Sequence, residues 1–121
     1  MRRHVGVSPA HLEMIRRALA GVVADPLGTA HNAMIPEVDL AGKTGTAQIP
    51  ADYGYDAFHT NASFVGWGPV DDPQFMVYVW LEKPTTSIWG SETAAPVFAQ
   101  VVQQTVISMN IPPDSIRKKF A

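Results

Sequence analysis

Apolar positions along the chain alternate between helical and strand spacing. Leu12, Ile15, Leu19, Val22 and Val23 recur at helical spacing, with Glu13, Arg16 and Arg17 off that stripe. Ser8-Pro9 reads as N-cap and first helical residue, and Asp25-Pro26 followed by Gly28 stops the helix and turns the chain. An irregular segment with Pro36 leads to a short strand expected over residues 40–48 and ended by Pro50. Residues 50–61, "PADYGYDAFHTN", read as a loop of turn formers and exposed aromatics. "ASFVGWG", residues 62–68, and "FMVYVWLE", residues 75–82, read as strands joined by a hairpin turn around Asp71 and Asp72. The last strand is apolar on both alternating faces, Phe75/Val77/Val79/Leu81 and Met76/Tyr78/Trp80, and expects cover on both. A Gly/Ser/Thr-rich loop precedes a helix predicted over residues 94–109. Its stripe includes Val97, Phe98, Val101, Val102 and Thr105, and Pro112-Pro113 ends it. Residues 111–121 read as a polar tail.

The pattern predicts an α+β fold: an antiparallel three-stranded sheet flanked by an N-terminal and a C-terminal helix. Two helices cover only part of such a sheet. No later strand is available to pair with residues 75–82, so one apolar edge is left bare. A bare apolar edge invites another chain, and self-association through it is expected unless a larger fold supplies the missing partner.

Composition narrows the function classes. The 121 residues are 46% apolar, enough for one domain with a core. Nine Lys+Arg against eleven Asp+Glu give a net charge of −2, which is no footprint for nucleic acid or an anionic membrane. There is no cysteine, so disulfides and thiolate metal sites are excluded. His4, His11, His31 and His59 lack metal-ligand spacing, and no metal is expected. "MRRHVGV" has no apolar run behind its arginines and does not read as a signal peptide. No apolar stretch approaches the ~20 residues of a membrane span. The chain as given is expected to be soluble. The tryptophans read as core or sheet surface, while Tyr53, Tyr55 and Phe58 read as loop packing or as the lining of a cleft.

The stretch that carries candidate chemistry is "AGKTGTAQIP", residues 41–50. A P-loop would need a glycine where Glu37 stands and a helix after the motif, which Gly45, "TAQI" and Pro50 oppose. A carboxylate-binding strand edge fits better. On a strand, Thr44 and Thr46 share one face and Lys43 takes the other. Gly45 leaves the backbone open to a ligand, two hydroxyls can hold one carboxylate, and a nearby N–H can meet a developing oxyanion. A lysine that only protects an edge strand from aggregation is the remaining reading.

Lys-Thr-Gly on an edge strand resembles one of three motifs of the penicillin-recognising serine enzymes, which include penicillin-binding proteins and serine β-lactamases. "GKTGTAQ", then "ASFVGWGP", then "WGSETAAPVFAQVV", with "VVADPLGTA" upstream, resemble in that order the C-terminal end of a class B penicillin-binding protein transpeptidase domain. The likeness runs from about Ser8 to Asn110, and Asn61-Ala62-Ser63-Phe64 favours class B over the bifunctional class A enzymes. The resemblance implies that residues 1–121 are the C-terminal part of a single transpeptidase domain, a fragment of the five-stranded β-lactamase/transpeptidase-like fold. It implies catalytic roles for Lys43, in the electrostatics of the site, and for Thr46, whose N–H is half the oxyanion hole. Thr44, Gly45 and Thr46 would form the substrate-binding surface for a substrate or β-lactam carboxylate.

The family's nucleophile sits in Ser-x-x-Lys and a second motif is Ser-x-Asn, both ahead of Lys-Thr-Gly. Here the strings occur only after it, as Ser115-Ile116-Arg117-Lys118 and Ser108-Met109-Asn110, and both read as accidents of a charged tail and a fraying helix end. The chain alone is therefore expected to be inactive. The implied partners are the rest of its own domain, a peptidoglycan stem peptide and β-lactams, with no cofactor and no nucleic acid. The implied location is the extracytoplasmic face of a bacterial membrane, through an anchor outside this chain. A non-catalytic assembly module of the same fold, a β-lactamase and a β-lactam sensor remain as alternatives.

Overall fold

A computed structural model describes residues 6–120; His4 and the arginines beside it lie outside them. The elements run α1 (Pro9–Ala24), a short 3-10 turn (His31–Ala33), β1 (Ala41–Ala51), β2 (Gly54–Gly68), β3 (Phe75–Glu82), α2 (Ala94–Ser108) and α3 (Asp114–Arg117). The described strands form one antiparallel sheet in the order β1-β2-β3. The Ser8 hydroxyl accepts the His11 N–H at 3.3 Å and Pro9 opens α1, as expected of an N-cap and its first residue.

Register decides which side chains meet. Phe64 lies opposite Thr44 and Val79, and Ala62 lies opposite Thr46 and Leu81. Because side chains alternate, Thr44 and Thr46 share a face with Phe64, Val79 and Leu81. α2 covers this face. Ala94, Phe98, Val102 and Val106, spaced four apart, are buried, and the Phe98 ring meets Phe64 edge-on at 4.6 Å. Gly66 permits the contact, since a Cβ there would lie 2.6 Å from the Phe98 ring. The α2 stripe is thus narrower than the sequence suggests: Val97 and Val101 face outward.

Four other expectations need correction. Residues 50–61 are not a loop. β1 and β2 continue past Pro50 as a hairpin with Ala51 opposite Gly54 and a two-residue turn at Asp52-Tyr53. The turn formers are absorbed by a bulge: between the pairs Gln48–Thr60 and Pro50–Tyr55, β1 holds only Ile49 while β2 holds residues 56–59. The Asp56 carboxylate pins that bulge by accepting the Phe58 and His59 N–H groups at 2.7 and 3.1 Å. Pro50 survives because it sits where the ladder is already broken.

The α1 stripe is only half used. Val23 is buried, but Leu12 and Ile15 are half exposed, beside a hollow that they share with Trp67 and Pro73. The second face of β3 is open: Met76, Tyr78 and Trp80 are 73%, 62% and 51% exposed, so the cover expected on both faces exists on one among the described residues.

Residues 111–121 are not a free polar tail. α2 ends at Ser108 and its cap Met109; Asn110 then turns the chain with a φ of 54°, the left-handed conformation that asparagine tolerates, and Ile111 returns to the core. α3 is then tied down by charge. Arg117 donates to Asp71 and Asp114, each at 2.6 Å, and Lys118 pairs with Asp39 and Asp114. The Asp39 N–H also donates to Asp114, at 2.9 Å.

Partial burial pushes the Asp114 carboxyl upward, but the bonds from Arg117, the Asp39 N–H and Lys118 outweigh it and hold the pKa near 2 instead of 3.8. A depressed carboxylate stabilises the fold fully above pH ~4 and loses that contribution as pH falls through ~2. With allowance for solvent screening the contribution is about 1–2 kcal/mol. Asp114→Asn should therefore speed hydrogen exchange at the Asp39 amide roughly five- to thirtyfold at neutral pH. It should also abolish the rise in local opening that the parent shows between pH 4 and pH 2, measured by exchange mass spectrometry corrected for intrinsic rates.

Candidate functional site

The outer edge of β1 has no strand beside it among the described residues, and the side chains singled out in the sequence gather there. Lys43 belongs to the face away from α2, yet its ammonium reaches round the edge. Nζ donates to the Thr44 carbonyl at 3.0 Å and to Thr44 Oγ1 at 3.3 Å. The Thr44 carbonyl must then point away from β2. In an antiparallel ladder, residues turned toward the partner alternate with residues turned away. The pairing is regular from Ala41 to Gln48, so Thr46, two residues on, also turns its N–H and C=O outward. One edge therefore presents an ammonium, two hydroxyls on a common face and an unpaired N–H.

Gly45 stands between the threonines, opposite Ser63. A Cβ on Gly45 would lie 2.3 Å from Ser63 Oγ, so the glycine clears space on the face opposite the hydroxyls. On the hydroxyl face the backbone of Gly90 rests directly on the sheet. The Gly90 N–H donates to Thr46 Oγ1 at 3.2 Å. A threonine hydroxyl has one proton and two lone pairs. Thr46 accepts from Gly90 and Thr44 accepts from Lys43, so both keep a proton to give to an anion.

Beside Thr46 a cleft of about 340 Å³ opens between the hairpin and the segment that follows β3, lined by Gln48, Asp56, Thr60, Ile88 and Trp89. Bonding from the Phe58 N–H, then from the His59 side chain, keeps Asp56 below the usual carboxylate range, and His59 Nδ1 lies 2.7 Å from its Oδ2. A second hollow of about 290 Å³ lies at the end of α1, lined by residues that include Val22, Asp25 and Gly28.

The structure brings Lys43, Thr44, Gly45 and Thr46 together on one edge, and it adds what periodicity missed. Thr60, assigned to a loop by sequence, is buried in β2 and donates to the Ile88 carbonyl at 2.5 Å. Gly90 and Thr60 carry no signature of a site in their own residue types. Tyr53, Tyr55 and Phe58 extend along the hairpin, exposed to solvent. The two serine strings stay apart from this edge: Ser108 ends α2, and Lys118 is committed to Asp39 and Asp114.

Residues 3–103 match the family of the penicillin binding protein transpeptidase domain. The chain is 35% identical over 117 residues to stage V sporulation protein D of Bacillus subtilis, covering 94% of this chain and 18% of that protein. It is 33% identical over 112 residues to the probable peptidoglycan D,D-transpeptidase PbpC of Pseudomonas aeruginosa, covering 92% of this chain and 20% of that one. Among solved structures, the apo transpeptidase domain of Burkholderia pseudomallei penicillin-binding protein 3 aligns with a TM-score of 0.79 at 38% identity, over 88% of this chain and 32% of that one. Penicillin-binding protein 3 of Mycobacterium tuberculosis, complexed with ampicillin, aligns with a TM-score of 0.73 at 29% identity, over 88% and 26%. The chain thus spans about a fifth of these curated relatives.

The Lys43 side chain is exposed and among the described residues its ammonium bonds only to Thr44, so it contributes little to the fold. In a chimaera in which this segment replaces its counterpart in the Burkholderia domain, Lys43→Met should change unfolding stability by no more than about 0.5 kcal/mol. Urea titration is the measurement, and a loss of several kcal/mol would make the lysine structural.

Proposed function

The chain belongs to the penicillin-binding protein transpeptidase family, and we propose that it supplies the carboxylate-binding wall of a peptidoglycan D,D-transpeptidase of class B. The observation that carries this reading is the open edge of β1, where Lys43 Nζ, the Thr44 and Thr46 hydroxyls and the outward Thr46 N–H stand side by side. Few arrangements of neutral and cationic donors suit a peptide carboxylate and a developing oxyanion at once.

In this reading the nucleophilic serine comes from the preceding part of the domain, in the Ser-x-x-Lys motif. Its oxygen attacks the carbonyl of the D-Ala-D-Ala bond of a stem peptide. The Thr46 N–H bonds the oxygen that becomes negative, and the Thr44 and Thr46 hydroxyls hold the terminal carboxylate. Lys43 adds positive charge at the edge. The peptide bond breaks, the terminal D-Ala leaves as the amine, and the acyl group stays on the serine. An amine of a second stem peptide then takes the acyl group and frees the serine. A β-lactam, whose ring amide and carboxylate mimic the substrate, is held by the same donors. The chemistry is extracytoplasmic, where peptidoglycan lies. No helix among the described residues is long and apolar enough to cross a membrane.

The rest of the domain also completes the fold in this reading, by covering Met76, Tyr78 and Trp80 and pairing with the bare edge of β3. The chain by itself should therefore associate through that edge and face. Analytical ultracentrifugation should find dimers or larger species, and a monodisperse monomer with a cooperative melt would count against the expectation.

The roles of the threonines are tested in the Burkholderia chimaera described above. Thr46→Val keeps shape, strand preference and the backbone N–H while deleting the hydroxyl. Losing one hydrogen bond to a charged group costs about 1.5–3 kcal/mol. Penicillin acylation should slow roughly ten- to a hundredfold. Thr44→Val should do comparable damage. If folded Thr46→Val acylates at the parent rate, the assignment of this edge is wrong.

A further inference from the structure

We infer that residues 83–93 form a clasp that orients the Thr46 hydroxyl, with Gly90 and Thr60 as positioning residues for carboxylate binding. The inference rests on the reading of Thr46 given above and extends it to two residues that touch no ligand.

The clasp is anchored at both ends. The Lys83 N–H donates to the Thr60 carbonyl at 3.1 Å, and the Thr60 hydroxyl donates to the Ile88 carbonyl at 2.5 Å. At the far end the Thr93 hydroxyl donates to the Trp89 carbonyl at 2.7 Å. The Ala94 and Ala95 N–H groups donate to the Gly90 carbonyl at 3.0 and 2.9 Å, which ties Gly90 to the first turn of α2. Between these anchors Gly90 is pressed onto the sheet. A Cβ there would lie 2.4 Å from the Gly45 carbonyl oxygen and 2.6 Å from that of Ser63, both backbone atoms that cannot give way. Only glycine allows this approach, and the approach is what brings the Gly90 N–H within 3.2 Å of Thr46 Oγ1.

The consequence is chemical. An exposed threonine hydroxyl rotates and readily donates to nearby backbone carbonyls. Once Oγ1 accepts from Gly90, the hydroxyl rotor is biased. Its proton is left pointing away from the clasp, toward the open edge where the carboxylate would bind. The preference for a carboxylate-bearing ligand therefore depends on Thr60 and Gly90 as well as on Thr46.

The test compares acylation of the chimaera by phenoxymethylpenicillin and by its methyl ester, which lacks the carboxylate charge. Damage that is merely structural slows both compounds alike, whereas a misplaced Thr46 hydroxyl removes the preference for the acid. Thr60→Val should reduce the acid-to-ester ratio roughly three- to tenfold, a partial weakening of the hydrogen bond whose full loss in Thr46→Val costs roughly ten- to a hundredfold. Thr60→Ser, which keeps the hydroxyl, should restore it, and Gly90→Ala should lower it as Thr60→Val does. If Thr46→Val loses the preference while folded Thr60→Val and Gly90→Ala keep it, the clasp is overturned and the carboxylate wall stands. If Thr46→Val itself keeps the parent ratio, the wall and the clasp fall together. A measurement free of folding risk accompanies these, because Thr46 is exposed. The Gly90 amide should be protected from hydrogen exchange in the parent and lose that protection in Thr46→Val, and unchanged protection would overturn the proposal.

Discussion

The antiparallel register of β1 against β2 is the constraint on which the rest depends. Pairing Gly45 with Ser63 and Thr46 with Ala62 puts both hydroxyls of the Thr-Gly-Thr run on the face that α2 and its preceding loop approach. The same register turns the Thr46 N–H to the open edge. A slip by one residue would exchange the faces, bury the lysine stem against Phe98 and point the N–H at β2. The register is held where apolar volume is greatest, at Phe64 and its edge-on contact with Phe98. Core packing at one end of the sheet thereby sets donor geometry at its edge.

Glycines do complementary work at three depths. Gly66 lets α2 approach the sheet through Phe98, Gly90 lets the loop backbone touch the strands, and Gly45 makes room for the Ser63 side chain on the face opposite the threonine hydroxyls. Each gives up a side chain so that a neighbour can come close, at the cost of the extra conformational entropy that a glycine loses on folding. The close approach at Gly90 recruits a main-chain N–H as a partner for Thr46, a device that costs no flexible side chain.

The ionic cluster of Asp39, Asp71, Asp114, Arg117 and Lys118 plays a separate part. It fastens the chain after α2 to the turn between β2 and β3 and to the segment entering β1. The fold is thus closed at the end away from the hairpin. In contrast, the β3 face carrying Met76, Tyr78 and Trp80 is open. The described residues thus carry one finished surface and one open one.

Much of this was legible in residue order. Periodicity located α1, β3 and α2, because helical and strand spacing each follow from backbone geometry alone. Lys43, Thr44, Gly45 and Thr46 could be assigned to opposite faces of a strand for the same reason. Alternation also predicted cover on both sides of residues 75–82, of which the described residues supply one. What local pattern could not reveal was anything settled by partners distant in sequence. Residues 50–61 look like a loop because Pro50, Gly54 and Asp56 break strands. They stay in the ladder because the bulge at residues 56–59 absorbs the irregularity. Thr60 looks like a loop threonine, and its burial depends on Ile88, 28 residues away. The charged tail looks solvated until Asp39 and Asp71 are brought beside it. Gly90 shows nothing in sequence of its contact with Thr46, 44 residues earlier, because a backbone N–H is common to almost every residue. The sequence by itself determined α1, β3, α2 and the residue types along the edge of β1, since these are local. Only the tertiary structure decided which groups orient that edge, because hydrogen bonds between distant segments exist only once the core has placed them.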